Sequence, residues 1–333
     1  MGLKNTLNSA RALVGRPRPI ILSHKLTTRC DCRCQFCDFW KDQNKKEVET
    51  EKILDLIDRA AAAGMTCYTA WGGEPLLCDN LPKYLERARS RDMITTICTA
   101  GYRLAERAPE IGPYLSQTLL SLEGVGEKQD EIRRTPGLFE RLSAGVDELK
   151  KHSESELVIW ANLSSLNKDQ PEGIVEFARE KGAAVEFFPA ARYDDYNDEL
   201  VLGPEEREEV FNRIIEMKKQ GEPIYNSYYS LKMMADSRPF KCNRGRLSVL
   251  VDSKGIAWAC EERVIPGLEP YGNAMELDFE SESFHTKYLD NIDKLSNCNA
   301  CLLPCVSNMA DNLIAQVLRR SWNGMLLRSQ GML

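Results

Sequence analysis

Histidine is scarce: the 333 residues contain only His24, His152 and His285. That scarcity argues against a metal site built on clustered histidines. No run of about 18 apolar residues occurs, so no transmembrane helix is expected. The segment MGLKNTLNSARALVGRPRP lacks an apolar core, and no signal peptide is expected from it. Acidic residues are missing from both ends. Residues 1–29 hold Lys4, Arg11, Arg16, Arg18, Lys25 and Arg29 with no Asp or Glu, and residues 312–333 hold Arg319, Arg320 and Arg328 with none. The net charge of −6 therefore leaves −15 on the span between them. A chain this acidic overall is a poor match for nucleic acid. Both basic ends also carry apolar residues at 3–4 spacing: Leu3, Leu7, Ala10, Leu13 and Val14, then Leu313, Ile314, Val317 and Leu318. Such helices either pack on the body of the protein or lie on an anionic membrane surface, and both readings stay open.

Hydrophobic content of 43% and charged content of 28% are ordinary for a soluble globular protein, and the length suits one large α/β domain with a small appendage. From Ile20 to about Gln220, strand and helix patterns alternate. The strands are expected at Ile20–Thr27, Cys67–Trp71, Ile94–Thr99, Thr118–Leu122, Leu157–Leu163 and Val185–Pro189. Helices are expected at Glu49–Ala63, Leu81–Arg89, Arg103–Ile111, Leu138–Lys151, Pro171–Lys181 and Glu205–Lys219. Several strands are continuous apolar runs, as parallel strands covered on both faces require. Six βα units predict an α/β fold, a partial (β/α)6 TIM-like barrel with its site at the C-terminal strand ends. Alternation alone would equally allow an eight-stranded barrel or an open sheet. The expected organisation is a basic amphipathic segment 1–19, the barrel 20–235, a small cysteine-rich extension 236–310 and a basic amphipathic helix 311–333.

Cysteine, by contrast, is plentiful, with twelve in short-spaced clusters that suggest metal rather than disulfides. Cys30, Cys34 and Cys37 read C-x3-C-x2-C directly after the first strand. Three thiolates at this spacing can hold a [4Fe–4S] cluster and leave its fourth iron without a protein ligand. Half of a zinc site or part of a ferredoxin-like site would also use such a run. Phe36 precedes the third cysteine, and Cys32 falls inside the motif as a surplus thiol. About 35 residues on, Cys67–Pro75 reads CYTAWGGEP, a strand ending in two glycines that permit a close backbone approach. These two motifs, each after a strand, resemble those of the radical S-adenosylmethionine (SAM) superfamily.

The resemblance implies that Gly72, Gly73 and Glu74 hold the amino group of SAM. It also implies SAM contacts from Ser121 and Glu123 in SLEG, Arg133 in DEIRR and Asn162 at the end of the fifth strand, with Phe36 beside the cluster. Ordinary barrel polarity is the alternative for each. Cys242, Cys260, Cys298, Cys301 and Cys305 follow in an order similar to the SPASM/twitch extension, which implies a second, auxiliary [4Fe–4S] cluster. The four-ligand version takes Cys242, Cys260, Cys298 and Cys301 and leaves Cys305 undecided; zinc is the alternative there.

The implied chemistry is reductive cleavage of SAM to a 5′-deoxyadenosyl radical that attacks an unactivated carbon of the substrate. An electron donor such as flavodoxin or ferredoxin is implied with it. A lipid-linked or small biosynthetic intermediate is the expected substrate, because of the basic ends. Maturation of a ribosomal peptide is the alternative within the enzyme class. An iron–sulfur electron carrier or a zinc-binding protein is the alternative outside it. The expected location is the cytoplasm, with the inner membrane surface left open.

Overall fold

The computed structural model describes residues 17–42, 47–192, 197–236, 242, 244–261, 267–296, 298 and 301. Both basic end segments, apart from residues 17–19, and Cys305 lie outside the described residues. Six strands run parallel: β1 (Ile21–Lys25), β2 (Cys67–Trp71), β3 (Ile94–Thr99), β4 (Gln117–Ser121), β5 (Glu156–Leu163) and β6 (Ala184–Pro189). Between them lie α1 (Thr50–Ala62), α2 (Leu81–Ser90), α3 (Leu104–Ile111), α4 (Glu127–Arg133), α5 (Leu138–His152) and α6 (Pro171–Glu180); α7 (Pro204–Lys219) follows β6. The fold is therefore the expected α/β partial (β/α)6 barrel. Strand and helix bounds fall within two residues of those read from the sequence, because buried parallel strands and amphipathic helices carry the strongest periodic signals.

Three elements of the barrel region and its extension were not foreseen. Helix α4 interrupts the loop after β4, α8 (Tyr228–Ala235) follows α7, and α9 (Glu282–Ser296) lies near the end of the described chain. After residue 242 a hairpin forms from β7 (Ser248–Val251) and β8 (Ile256–Trp258), joined by the turn at Asp252–Gly255. It does not stand apart from the barrel. Strand β7 pairs in parallel with β1, so one nine-stranded sheet runs β6-β5-β4-β3-β2-β1-β7-β8-β9, with β9 at Gly272–Asn273.

The pairing register sorts the side chains. Leu22, Tyr68, Ala70, Ile97, Leu120, Ile159, Val185 and Val249 share the face that packs on the helices, and all are buried. The opposite face carries Ser23, Lys25, Thr69, Thr96, Gln117, Ser121, Asn162 and Glu186. Alternation at period two thus separates an apolar outer layer from a polar interior. That interior leads to the strand ends where the cysteine loop sits.

Candidate active site

The cysteine loop is a continuation of β1, held against the end of β2 by main-chain hydrogen bonds. Leu26 N donates to Trp71 O, Gly73 N to Thr27 O and Glu74 N to Arg29 O, each at 2.8 Å. The two glycines are required by this docking. A Cβ on Gly73 would lie 2.2 Å from Arg29 O, and one on Gly72 would lie 2.4 Å from Thr27 O. The close approach inferred from the GG pair is thus, first, an approach to the chain's own cysteine loop.

Glu74 braces the same junction and is fully buried. Its carboxylate accepts from Leu76 N (3.0 Å), Thr99 Oγ1 (2.7 Å) and Ala100 N (2.9 Å), which ties the GGEP turn to the end of β3. Burial and then the neighbouring Asp31 carboxylate push it up to about 8, against hydrogen bonds that favour the ionised form. Ala100 takes part in this brace through its backbone N–H.

The other side of the loop is gripped by α4. Arg33 N donates to Arg133 O (3.0 Å) and Gln35 N to Ile132 O (3.1 Å). The Arg133 guanidinium forms a two-point ion pair with Glu123, Nε–Oε2 at 2.5 Å and Nη2–Oε1 at 2.8 Å. Its Nη1 lies 3.7 Å from Cys34 Sγ, and its carbon is 5.6 Å from the Phe36 ring centre. Two residues that the sequence did not flag fix this arrangement. Gln129, fully buried, accepts from Glu123 N and Gly124 N and donates to Ser121 O. Asn167, also fully buried, donates to Glu123 O and Asn162 O. Both sit in loops or helices of mixed polarity, where a buried amide looks no different from a solvated one.

Cys30, Cys34 and Cys37 are brought together. They gather with Cys32, Phe36, Ala100, Tyr102 and Leu138 in a small cluster separate from the main core. Cys32, expected to be surplus, is fully buried in it. Hydrogen bonds from Cys30 and Cys34 push the Cys32 thiol down to about 2, with Arg133 and Thr135 adding to the effect. The contact with Cys32, then burial, pushes Cys30 and Cys34 up. A pocket of thiols beside a fixed guanidinium is suited in donor type to an iron–sulfur cluster.

The polar groups expected to meet SAM lie at or just beyond the C-terminal ends of β2, β4 and β5, with Arg133 on α4. Ser121 Oγ lies 4.0 Å from Cys98 Sγ. Asn162 Oδ1 is buried with no hydrogen-bond partner among the described residues, as is Thr28 Oγ1. Such orphaned acceptors suit a polar ligand placed against them. A cavity of about 340 Å³ opens next to the loop, lined in part by Lys25, Thr28, Phe39, Trp258 and Glu261. Lys25 Nζ pairs with Glu261 at 3.2 Å and sits 3.9 Å above the Phe39 ring.

Cys242 and Cys260 are buried, and Cys298 and Cys301 are partly exposed. Cys242 precedes the helical turn Arg244–Leu247, whose Gly245 faces Leu295 of α9, and Cys298 N donates to Leu295 O just beyond that helix. Among the described residues, the groups whose donor atoms lie within 4.8 Å of one another are Cys30, Asp31 and Cys32. Cys67 and Cys78 are buried, whereas Cys98 is half-buried on the interior face.

Comparison with known proteins agrees with this geometry. Residues 25–179 match the model of the radical SAM superfamily. The chain is 27% identical over 223 residues to an AdoMet-dependent heme synthase of Methanosarcina barkeri, covering 63% of this chain and 61% of that protein. It is 25% identical over 270 residues to a PqqA peptide cyclase of Granulibacter bethesdensis, covering 75% of this chain and 70% of that protein. The crystal structure of Streptococcus suis SuiB bound to S-adenosylmethionine superposes with a TM-score of 0.65 at 15% identity, over 81% of this chain and 68% of SuiB. The stretch from the end of β1 to the end of α6 is thus similar to the radical SAM superfamily, and a [4Fe–4S] cluster with SAM is the cofactor pair that this similarity implies. No helix among the described residues is long and apolar enough to cross a membrane.

Proposed function

We propose that the chain is a radical SAM enzyme that modifies an unactivated carbon of its substrate inside the barrel. One observation carries the reading. The loop with Cys30, Cys34 and Cys37 is clamped between the GGEP turn and the last turn of α4, at the C-terminal ends of the strands. When bound, the cluster and SAM supply a one-electron cleavage that yields a carbon-centred radical. The chain's own residues do the rest. Cys30, Cys34 and Cys37 would hold the cluster, and Arg133 would place a positive charge beside Cys34. Gly72, Gly73 and Glu74 shape the turn facing SAM's amino end, with Glu74 acting through the backbone it fixes. Ser121 and Asn162 offer a hydroxyl and an open acceptor to the ribose and adenine side. The Glu123–Arg133 pair positions both halves, and Phe36 shields the loop from water.

The substrate reading that fits best is a peptide. Its support is similarity to the PqqA peptide cyclase over 75% of this chain, and a cavity that offers both charge signs with aromatic surface. A lipid-linked or small intermediate is the second reading, favoured by the basic end segments, which would also give peripheral membrane contact. Cys242, Cys260, Cys298 and Cys301 would hold an auxiliary [4Fe–4S] cluster that moves electrons from the substrate, with Cys305 as the alternate ligand. A flavodoxin or ferredoxin would serve as donor, in the cytoplasm.

The test is anaerobic reconstitution, iron and sulfide counting, and incubation with SAM and dithionite. About eight irons per chain and release of 5′-deoxyadenosine are expected for two cubanes. About four irons with the nucleoside would retain the enzyme and remove the auxiliary cluster. Absence of iron, or intact SAM under every substrate mixture, would return the chain to the zinc-binding or electron-carrier alternatives.

A further inference from the structure

The C-x3-C-x2-C motif needs three thiols, and this loop buries four. Cys32 is fully buried, while Cys30 and Cys37, two of the motif's own members, stay partly exposed. A spare thiol between two ligands would be free to turn outward, since the loop borders solvent. Instead its Sγ lies within 4.8 Å of the Cys30 Sγ, and it packs with Cys34, Ala100 and Leu138. Arg33 Nη1 holds the Cys30 and Cys32 carbonyls, each at 2.9 Å, and so fixes the turn that aims Cys32 inward.

We propose that Cys32 is a fourth thiolate ligand for the cluster held by this loop, occupying the iron that SAM otherwise takes and giving way to it. The inference rests on the proposal that the loop binds a [4Fe–4S] cluster. Thiolate is the preferred protein ligand for iron in such clusters, and Asp31, the other nearby donor, is a harder and poorer one. Exchange balances without a redox step. The iron–sulfur bond to Cys32 breaks, and bonds from SAM's amino nitrogen and carboxylate oxygen form. The proton shed by SAM's ammonium passes to the released thiolate. The consequence is a capped resting state, in which no iron is open to loss while SAM is absent.

The experiment uses the full chain, reconstituted anaerobically as wild type, C32A, C32S and D31N. Each is oxidised mildly with ferricyanide without SAM, and the [3Fe–4S] signal is quantified by electron paramagnetic resonance. A cluster with one non-thiolate iron loses that iron readily; a fully thiolate-ligated cluster resists. The wild type and D31N are expected to resist, and C32A and C32S to give several-fold more [3Fe–4S]. Apparent SAM affinity should tighten about tenfold in C32A if one wild-type cluster in ten is uncapped. Equal [3Fe–4S] yields and equal SAM affinity in wild type and C32A would overturn the assignment, as would a change confined to D31N. Should C32A load poorly, C32S, which keeps the side-chain size, decides by the same two readouts. A wild-type chain that binds no iron fails differently: it removes the enzyme reading itself.

Discussion

Arg133 grips the Glu123 carboxylate with two nitrogens and points its third at Cys34 Sγ, 3.7 Å away, so the end of β4 is wired to the cysteine loop. Both partners are almost wholly buried, at 9% and 2% side-chain exposure. Taking one away leaves an uncompensated charge in the interior. Glu123→Gln is therefore expected to destabilise the chain by about 3–5 kcal/mol, and the double variant E123L/R133L to recover most of that loss. Urea unfolding of wild type, E123L, R133L and E123L/R133L under anaerobic conditions measures the coupling, with E123Q unfolded beside them. A cost for E123Q below about 1 kcal/mol would mean that the pair is solvated and does not brace the loop.

Glu74 gives the chain a pH signature. Its folded-state pKa is raised to about 8 by burial and Asp31, above its unfolded value near 4.5. The folded protein therefore holds a proton that the unfolded chain releases. The sign follows: stability falls as pH rises through the window from about 4.5 to about 8, with a slope approaching 1.4 kcal/mol per pH unit from this group alone. Glu74→Gln, neutral at every pH, should flatten that slope. Thermal melts of both forms between pH 5 and pH 8 check it; parallel curves would show that the three donors keep Glu74 ionised.

Gly73 is the residue least able to change. Its Cβ would lie 2.2 Å from Arg29 O and 2.5 Å from Thr28 O, backbone atoms that cannot step aside without undocking the cysteine loop. Gly73→Ala should cost at least about 2 kcal/mol and reduce iron retention by the first cluster. Gly203→Ala is the matched control, because Gly203 has φ −62° and the nearest atom to its Cβ would be Glu206 Oε2 at 3.8 Å. It should cost no more than about 1 kcal/mol, the loss of a glycine N-cap. Equal effects at the two positions would mean that the GGEP turn yields.

The barrel was legible because its signals are local. CYTAW and ITTICT are short runs of β-branched, aromatic and small apolar residues, and β2 and β3 occupy those residues. Helix α4 was not legible: EKQDEIR has one aliphatic residue, Ile132, and no periodic face. Helix α9 buries Phe284, His285, Tyr288, Asn291 and Leu295, a helical spacing disguised by a histidine and an asparagine. The site divides in the same way. The cysteine spacing and GGEP are contiguous strings, whereas Arg133 meets Cys34 across 99 residues and Asn167 meets Glu123 across 44. Nothing local in sequence encodes such pairs; they exist only once the strand ends converge. The pairing of β7 with β1 was hidden for the same reason, since SVLV fits a hairpin and a parallel edge equally well.

The auxiliary cysteines can be tested one at a time. If Cys242, Cys260, Cys298 and Cys301 form a second site, removing any one should lower bound iron from about eight to about four per chain. The first cluster should be untouched, because among the described residues the main-chain bonds that dock its loop run to the end of β2 and to α4. SAM cleavage should persist in C260A, while turnover of substrate is lost, since the electron taken from the substrate has no acceptor. Cys305→Ala separates the two ligand sets: iron stays at about eight if it is spare and falls if it replaces one of the four. One zinc per chain beside about four irons, with four equivalents of zinc-bound thiol, would assign the same residues to a structural tetrahedral site. Iron unchanged in all five single variants would leave the barrel with one cluster and remove the electron-transfer role from the extension.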